Sequence, residues 1–265
     1  VVVEPANASG LLAQIGAVGR RSITRTLRQR ALLIFPMLFP LILFAINGSA
    51  LSAATKIPGF PPVSYRAFLL AVPFMQGALF IAVTAGIDLA RDIESGFFNR
   101  LALTPLRGSA LLAGQLAGGV VVAVLQSVVY LLVGIAAGVG IASGVGGALV
   151  LLVLSILIAF GFAGVGALIA LRSGSGEAVQ AIFPLLFVTL FLSSSSLPRP
   201  LLRVQWFHDV ATYNPVSYLI EGMRSLVITG WNGQALAMGF GFALALVIIS
   251  LTLANIAIKN RLVRT

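Results

Sequence analysis

The stretch GVGIASGVGG, residues 138–147, lies near the middle of a run without formal charge that extends from Gly108 to Leu171. A bilayer's hydrocarbon core takes about 20 apolar residues per helix, so this 64-residue run is too long for one span and long enough for two. Its glycines mark the place where the chain turns back. Read as a tight turn between two helices, they set the parity of the fold. Four other charge-free intervals qualify as single spans: Ala31 to Thr55, Ala67 to Ile87, Ala178 to Pro198 and Ser225 to Ile258. The total is six.

Composition agrees with that count. The chain has 265 residues, 59% of them hydrophobic and 9% charged, and its mean hydropathy is +1.06. Soluble domains use roughly 45–50% apolar residues, so the expected class is an all-α membrane protein. The net charge of +10 does not imply nucleic acid, because no water-soluble domain remains to display it once the apolar runs are removed. Membrane lipids with anionic headgroups are the expected counter-charge. The absence of cysteine excludes disulfides, thiolate catalysis and Cys-ligated metal. Only Lys56 and Lys259 are lysines among seventeen basic residues, a bias that points to a GC-rich bacterial coding sequence. Five arginines precede Ala31 with no small-residue cleavage site after a short apolar core, so no cleaved signal peptide is expected.

Threading six spans puts Arg20, Arg21, Arg25, Arg28, Arg30, Arg91, Arg100, Arg107, Arg172, Lys259, Arg261 and Arg264 on one side, and Lys56, Arg66, Arg199, Arg203 and Arg224 on the other. Basic residues mark the cytoplasmic side, so both termini are expected there. Trp206, Trp231, Tyr65, Tyr213 and Tyr218 then fall near outer span ends, at headgroup level.

Residues 11–30, LLAQIGAVGRRSITRTLRQR, place Leu11, Leu12, Ile15 and Ile23 broadly on one helical side and Arg21, Arg25 and Arg28 on another. An interfacial helix is expected; a basic tail that only sets topology is the alternative. On the outer side, residues 197–230 begin with Pro198 and Pro200. They continue to NPVSYLIEGMRSL, where Asn214 suits an N-cap and Pro215 the first helical position. Glu221 and Arg224 are spaced to pair across one turn. Each piece is too short to span, so a re-entrant helical pair is expected, with a surface loop as the alternative.

Catalytic equipment is not evident. His208 is the only histidine, and its neighbour Asp209 points elsewhere on a helix. Ser193 to Ser196 lack the context of an activated nucleophile and are expected to bond backbone carbonyls. No metal motif or Walker lysine occurs. The spans hold no formal charge of the kind that ion-driven transporters use as relays. They do hold Asn47, Gln76, Thr84, Gln126, Ser127 and Gln180, which are candidates for a substrate path or for bonds between helices. The spacings Gly114 to Gly118 and Gly134 to Gly138 suit close helix packing, and Pro36 and Pro40 are expected to kink the first span.

Two stretches carry a family resemblance. DIESGFFNRLALTPLRGSALLAGQ, residues 92–115, resembles the loop after the second helix of ABC-2-type permeases, through Asp92, Glu94, Gly96, Arg100, Leu101, Thr104, Pro105, Arg107 and Gly114 in order. Its GFFNRL form is most similar to daunorubicin-resistance permeases. FLSSSSLPRPLLRVQWFHDVATYNPVSYLIEGMR, residues 191–224, is similar to the second family signature, through Pro198, Trp206, Asn214, Pro215, Tyr218 and Arg224. The sequence departs from the pattern at Ile93, Asn99, Ser194 and Gln115.

The resemblance implies a single transmembrane domain over residues 1–265, in a bacterial cell membrane. It implies a non-catalytic subunit of an exporter for an amphipathic drug, lipid or glycoconjugate. The partners implied are two copies of a cytoplasmic ATPase, which binds ATP and magnesium, and a second permease copy or paralogue. Residues 91–108 become the coupling loop, with Asp92, Glu94, Gly96, Phe97, Phe98, Arg100, Leu101 and Pro105 meeting the ATPase. A membrane anchor or sensor with the same fold, or an integral membrane enzyme, remains the alternative.

Overall fold

The computed structural model describes residues 11–28, 30–96 and 108–262, and among them the regular elements are all helical. In chain order these are α1 (Leu11–Arg28), α2 (Arg30–Ala50), α3 (Tyr65–Leu69), α4 (Ala71–Glu94), α5 (Gly108–Ala136), α6 (Gly144–Ser173), α7 (Gly176–Ala181), α8 (Phe183–Phe191), α9 (Gln205–Tyr213), α10 (Pro215–Ile228) and α11 (Gly233–Leu262). Among the described residues five stretches are long and apolar enough to cross a bilayer: Leu33–Ala50, Tyr65–Glu94, Ala110–Ala136, Gly144–Ser173 and Gly233–Arg261.

The 64-residue run does divide at its glycines. The chain leaves α5 through Gly138 (φ +84°) and enters α6 through Gly144 (φ +66°), in a backbone region that glycine reaches without strain. The turn is then tied down from outside. The Ala142 and Ser143 amides donate to the carbonyls of Val227 and Leu226 at 3.0 and 3.1 Å, at the C-terminal end of α10 where no helical donors remain.

Two expected spans differ from the structure. The interval Ala178 to Pro198 is not one helix, because Pro184 has no amide proton with which to continue it. The chain breaks at Ile182 between α7 and α8, and the apolar helical stretch Gly176–Phe191 is too short to count with the other five. Sixteen residues rise only about 24 Å at 1.5 Å each, against a hydrocarbon thickness of about 30 Å. The interval Ser225 to Ile258 is likewise cut. Its first residues complete α10, and Gly230 (φ +86°) turns the chain before α11. Tyr65, expected at headgroup level, is buried, whereas Trp206, Trp231 and Tyr213 are exposed.

Small residues set the helix crossings. A Cβ on Gly166 of α6 would overlap the Ala82 carbonyl of α4, and one on Gly86 would lie 2.8 Å from the Gly166 carbonyl oxygen. Gly222 of α10 and Gly239 of α11 meet face to face, each ideal Cβ lying 3.0–3.1 Å from the other's Cα. The spacing Gly114 to Gly118 does admit a helix, and that helix is α1: a Cβ on Gly114 would come 2.6 Å from the Val18 Cβ. The second spacing splits, with Gly134 receiving the Leu70 side chain and Gly138 forming the turn. In α2 the helix continues through both prolines. Pro40 deprives the Pro36 carbonyl of its helical donor, and the Tyr130 hydroxyl of α5 donates to that oxygen at 3.0 Å.

The α4–α6 crossing yields a direct test. Gly166→Ala is expected to destabilise the detergent-solubilised protein by about 1–3 kcal/mol through overpacking. Gly241→Ala, where the added methyl meets open space, is expected to leave the thermal midpoint unchanged.

Candidate coupling base and outer carbonyl clamp

At the cytoplasmic end assigned from the sequence, Asp92 does not face outward. Its side chain is 4% exposed and holds three side chains at once. Arg21 donates to both carboxylate oxygens at 3.0 and 3.1 Å, Arg25 donates at 2.7 Å, and the Gln115 amide nitrogen donates at 2.9 Å. Asp88, one turn earlier, lies 3.3 Å from Arg25 and 3.8 Å from Arg91. This cluster joins α1, α4 and α5. Ser22 extends it, donating to the Gln115 carbonyl at 2.7 Å and accepting from the Gly118 amide at 3.2 Å.

The face of α1 packed on α5 is therefore Gln14, Val18, Gly19 and Ser22, all buried, rather than the apolar side marked by Ile15 and Ile23. Gly19, which weakens a helix in isolation, is where the two backbones approach.

Glu94 stays exposed and accepts from the Gly176 amide at the start of α7 at 3.0 Å. Gly96 ends the described helix with φ +68° and open space where a Cβ would stand. The Gly96 amide donates to the Ile93 carbonyl at 3.0 Å, closing the last turn. Phe97, Phe98, Arg100, Leu101 and Pro105 lie outside the described residues.

Two of the outer signature residues, Asn214 and Arg224, converge on one object, the end of α8. That helix stops at Phe191, and the chain continues through Leu192 to Ser196 without forming another helix. The carbonyls left without helical donors are met by three side chains from other elements. Asn214 donates through its amide nitrogen to Thr189 and Leu192 at 2.6 and 3.0 Å, while its oxygen accepts from the Val216 amide at 2.9 Å as the N-cap of α10. Arg224 donates to Ser194 and Ser195 at 2.9 and 3.0 Å, and through Nε to Phe68 at 2.9 Å. Tyr65 donates to Ser196 at 3.0 Å.

The Arg224 guanidinium also lies 3.6 Å from the centroid of the Phe68 ring. Full burial pushes its pKa down to about 9, so it remains a cation at neutral pH.

The expected pairing of Glu221 with Arg224 does not occur. The two side chains leave α10 in different directions: Arg224 goes inward to the carbonyls, and Glu221 takes a bidentate pair from Arg199 at 2.8 and 2.6 Å. Burial opposes the Arg199 charge, and the Glu221 hydrogen bond and charge outweigh it, so its pKa lies above the ordinary value. Arg199 also sits 4.5 Å over the Tyr218 ring, and the Tyr218 hydroxyl donates to the Thr212 carbonyl at 2.9 Å.

In the serine run, the Ser193 hydroxyl donates to the Leu190 carbonyl, and the Ser194 amide donates to the Ser217 hydroxyl at 3.1 Å. Pro198 leads into a 3₁₀ turn at Arg199–Leu201, and Trp206 opens onto the surface of α9.

Of the residues proposed from sequence for a substrate path, only Thr84 and Gln126 share a site. Thr84 lines a cavity between α1, α2, α4 and α5, where Gln126 joins it. Asn47 is half-buried on α2, Gln76 is buried on α4 and Gln180 is exposed on α7. Among the described residues no three His, Asp or Glu side chains cluster as metal ligands.

The profile of the ABC-2 type transporter family matches residues 13–228, and the chain belongs to that family. It is 28% identical over 202 residues to the daunorubicin resistance ABC transporter permease protein DrrB1 of Streptomyces coeruleorubidus. The match covers 74% of this chain and 67% of that protein. The chain is thus an ABC-2 permease, homologous to the permease of a drug-resistance exporter.

Two variants test these sites. Arg224→Met leaves three buried carbonyls without their donor, and at about 1–3 kcal/mol for an unsatisfied buried group it is expected to lower the thermal midpoint far more than Glu221→Gln. Arg224→Lys is not expected to restore it, because a single ammonium cannot reproduce the planar fork. Asp92→Asn removes the carboxylate shared by Arg21 and Arg25 and leaves only Asp88 beside Arg25, and is expected to speed tryptic cleavage within α1 severalfold.

Proposed function

We propose that this permease is the membrane-spanning subunit of an ATP-driven exporter that moves an amphipathic drug, lipid or glycoconjugate out of the cytoplasm or inner leaflet. Two copies of a cytoplasmic ATPase bind ATP and magnesium and supply the work, and a second permease copy or paralogue completes the assembly. In this reading the protein crosses a bacterial cell membrane six times with both termini in the cytoplasm. The fifth crossing is made by α7, α8 and the non-helical segment after them. The pair α9–α10 re-enters the outer leaflet, and α1 lies at the cytoplasmic interface.

The observation that carries this reading is the anchorage of the 91–108 loop. Its entry is fastened through Asp92 to α1 and α5 and through Glu94 to α7. A force applied at the root of that loop bears on three helices. A loop that served only as a linker would not need fastening at its root. Phe97, Phe98 and Arg100 then provide the apolar and polar contacts with the ATPase.

Co-expression with a candidate partner ATPase tests the proposal. Gly96→Val and Glu94→Ala are expected to leave insertion and assembly intact and to reduce ATP-dependent export into inside-out vesicles at least tenfold, while Phe98→Asp weakens co-purification of the ATPase. Normal export by all three variants would overturn this route of coupling. For orientation, a cysteine at Asn232 is expected to react with an impermeant thiol reagent outside intact cells, and one at Ser173 to be shielded.

A further inference from the structure

The side of α1 turned away from α5 carries an open groove of about 660 Å³, lined by Ala17, Arg20, Arg21, Thr24, Arg25 and Arg28. These positions recur every three or four residues and share one face of the helix. The short side chains at 17 and 24 leave room between the four arginines. Among the described residues no carboxylate lines the groove.

Two of the arginines are positioned from behind. Arg21 and Arg25 reach Asp92, and Arg25 also reaches Asp88, yet their side chains stay 41% and 25% exposed. Asp88 is shared again, with Arg91. Arg20 and Arg28 are exposed and have no carboxylate partner among the described residues. Like charges three or four residues apart destabilise a helix, so the groove gains from an anion that the protein does not itself supply.

Its place along the chain says which anion. Arg28 precedes by five residues Leu33, where the first stretch able to cross a bilayer begins. Five residues reach at most about 18 Å even when extended, and headgroups occupy about 5–7 Å on each face of the hydrocarbon. The groove thus opens at or beside the headgroup layer. Just beyond it, Ile34, Phe35 and Leu38 of α2 are exposed, as side chains that meet acyl tails would be.

We propose that this groove binds the phosphate headgroup of an anionic phospholipid, with Arg20 and Arg28 supplying the charge that Asp88 and Asp92 do not neutralise. The planar fork of a guanidinium matches phosphate geometry. A zwitterionic lipid would bring an ammonium group among four arginines, and free phosphate would lack the tails. Because Arg21 and Arg25 also hold Asp92, the bound lipid stands one side chain away from the root of the 91–108 loop. Its influence on coupling rests on the exporter reading, whereas its binding does not.

The purified permease in a neutral detergent, without any ATPase, is titrated with dioctanoyl phosphatidylglycerol, dioctanoyl phosphatidylcholine or inorganic phosphate. Binding is read from the rise in thermal midpoint and from bound lipid counted by native mass spectrometry. Phosphatidylglycerol is expected to bind at least fivefold more tightly than either of the others. Arg20→Gln and Arg28→Gln together are expected to weaken it at least fivefold. Arg172→Gln with Lys259→Gln, which removes the same charge from exposed positions outside the groove, is expected to weaken it less than twofold.

Equal affinity for phosphatidylcholine or for inorganic phosphate, or equal weakening by the Arg172 and Lys259 pair, would each overturn the proposal. Undiminished lipid binding by the Arg20 and Arg28 pair would also overturn it, and loss of ATPase co-purification in that variant would then give the groove to the ATPase. Because the titration contains no ATPase, failure here leaves the exporter reading standing, and failure of ATP-dependent export leaves the lipid site standing.

Discussion

A guanidinium placed among three backbone carbonyls holds the outer half of this permease together. A membrane chain must satisfy every backbone polar group within the protein, and α8 makes that difficult by ending at Phe191, after only nine residues. The carbonyls at the end of α8 and beyond would then face an apolar interior. Arg224, Asn214 and Tyr65 supply the donors, which fixes where α10 lies and how its first turn is capped. The close meeting of Gly222 with Gly239 follows from that placement. Because Arg224 also takes the Phe68 carbonyl, the entry into α4 is drawn into the same arrangement.

The other half of the helical array uses the opposite chemistry. There a single carboxylate collects cations and an amide, whereas at the α8 end a single cation collects carbonyls. Asp92 draws the basic face of α1 against α4, and the glycine spacing on α5 lets the α1 backbone approach closely enough for Ser22 to bond across. Both centres are almost wholly buried, so each joins elements distant in sequence without depending on exposed ion pairs, which contribute little.

Much of this was legible in the residues. Charge-free intervals and the glycines at 138–147 revealed the long helices, and Asn214-Pro215 announced the start of α10. What escaped was the direction in which a polar side chain points. Glu221 and Arg224 have the spacing of a helical pair, but spacing gives no account of unpaired carbonyls at the end of another helix, and those outcompete a partner on the same surface. Asp92 was expected to meet a partner chain, yet Arg21, Arg25 and Gln115 claim it within the permease. The break before α8 did have a signal, since Pro184 sits inside the interval, and counting charges alone passes over it. The packed face of α1 was concealed for another reason: Gly19 and Ser22 carry no hydropathic mark.

The carbonyl clamp also imposes an order on biogenesis. Its acceptors at Phe68 and Ser194 precede its donor by 156 and 30 residues, so both are synthesised before Arg224 exists. At roughly 5–20 residues per second, the serine segment waits on the order of seconds for its partner to leave the ribosome. During that interval the nascent chain cannot bury residues 192–196 in lipid and must keep them hydrated or within the insertion machinery. The half-built permease therefore has a natural checkpoint: until Arg224 arrives, the end of α8 is the exposed polar feature by which quality control can recognise an unfinished chain.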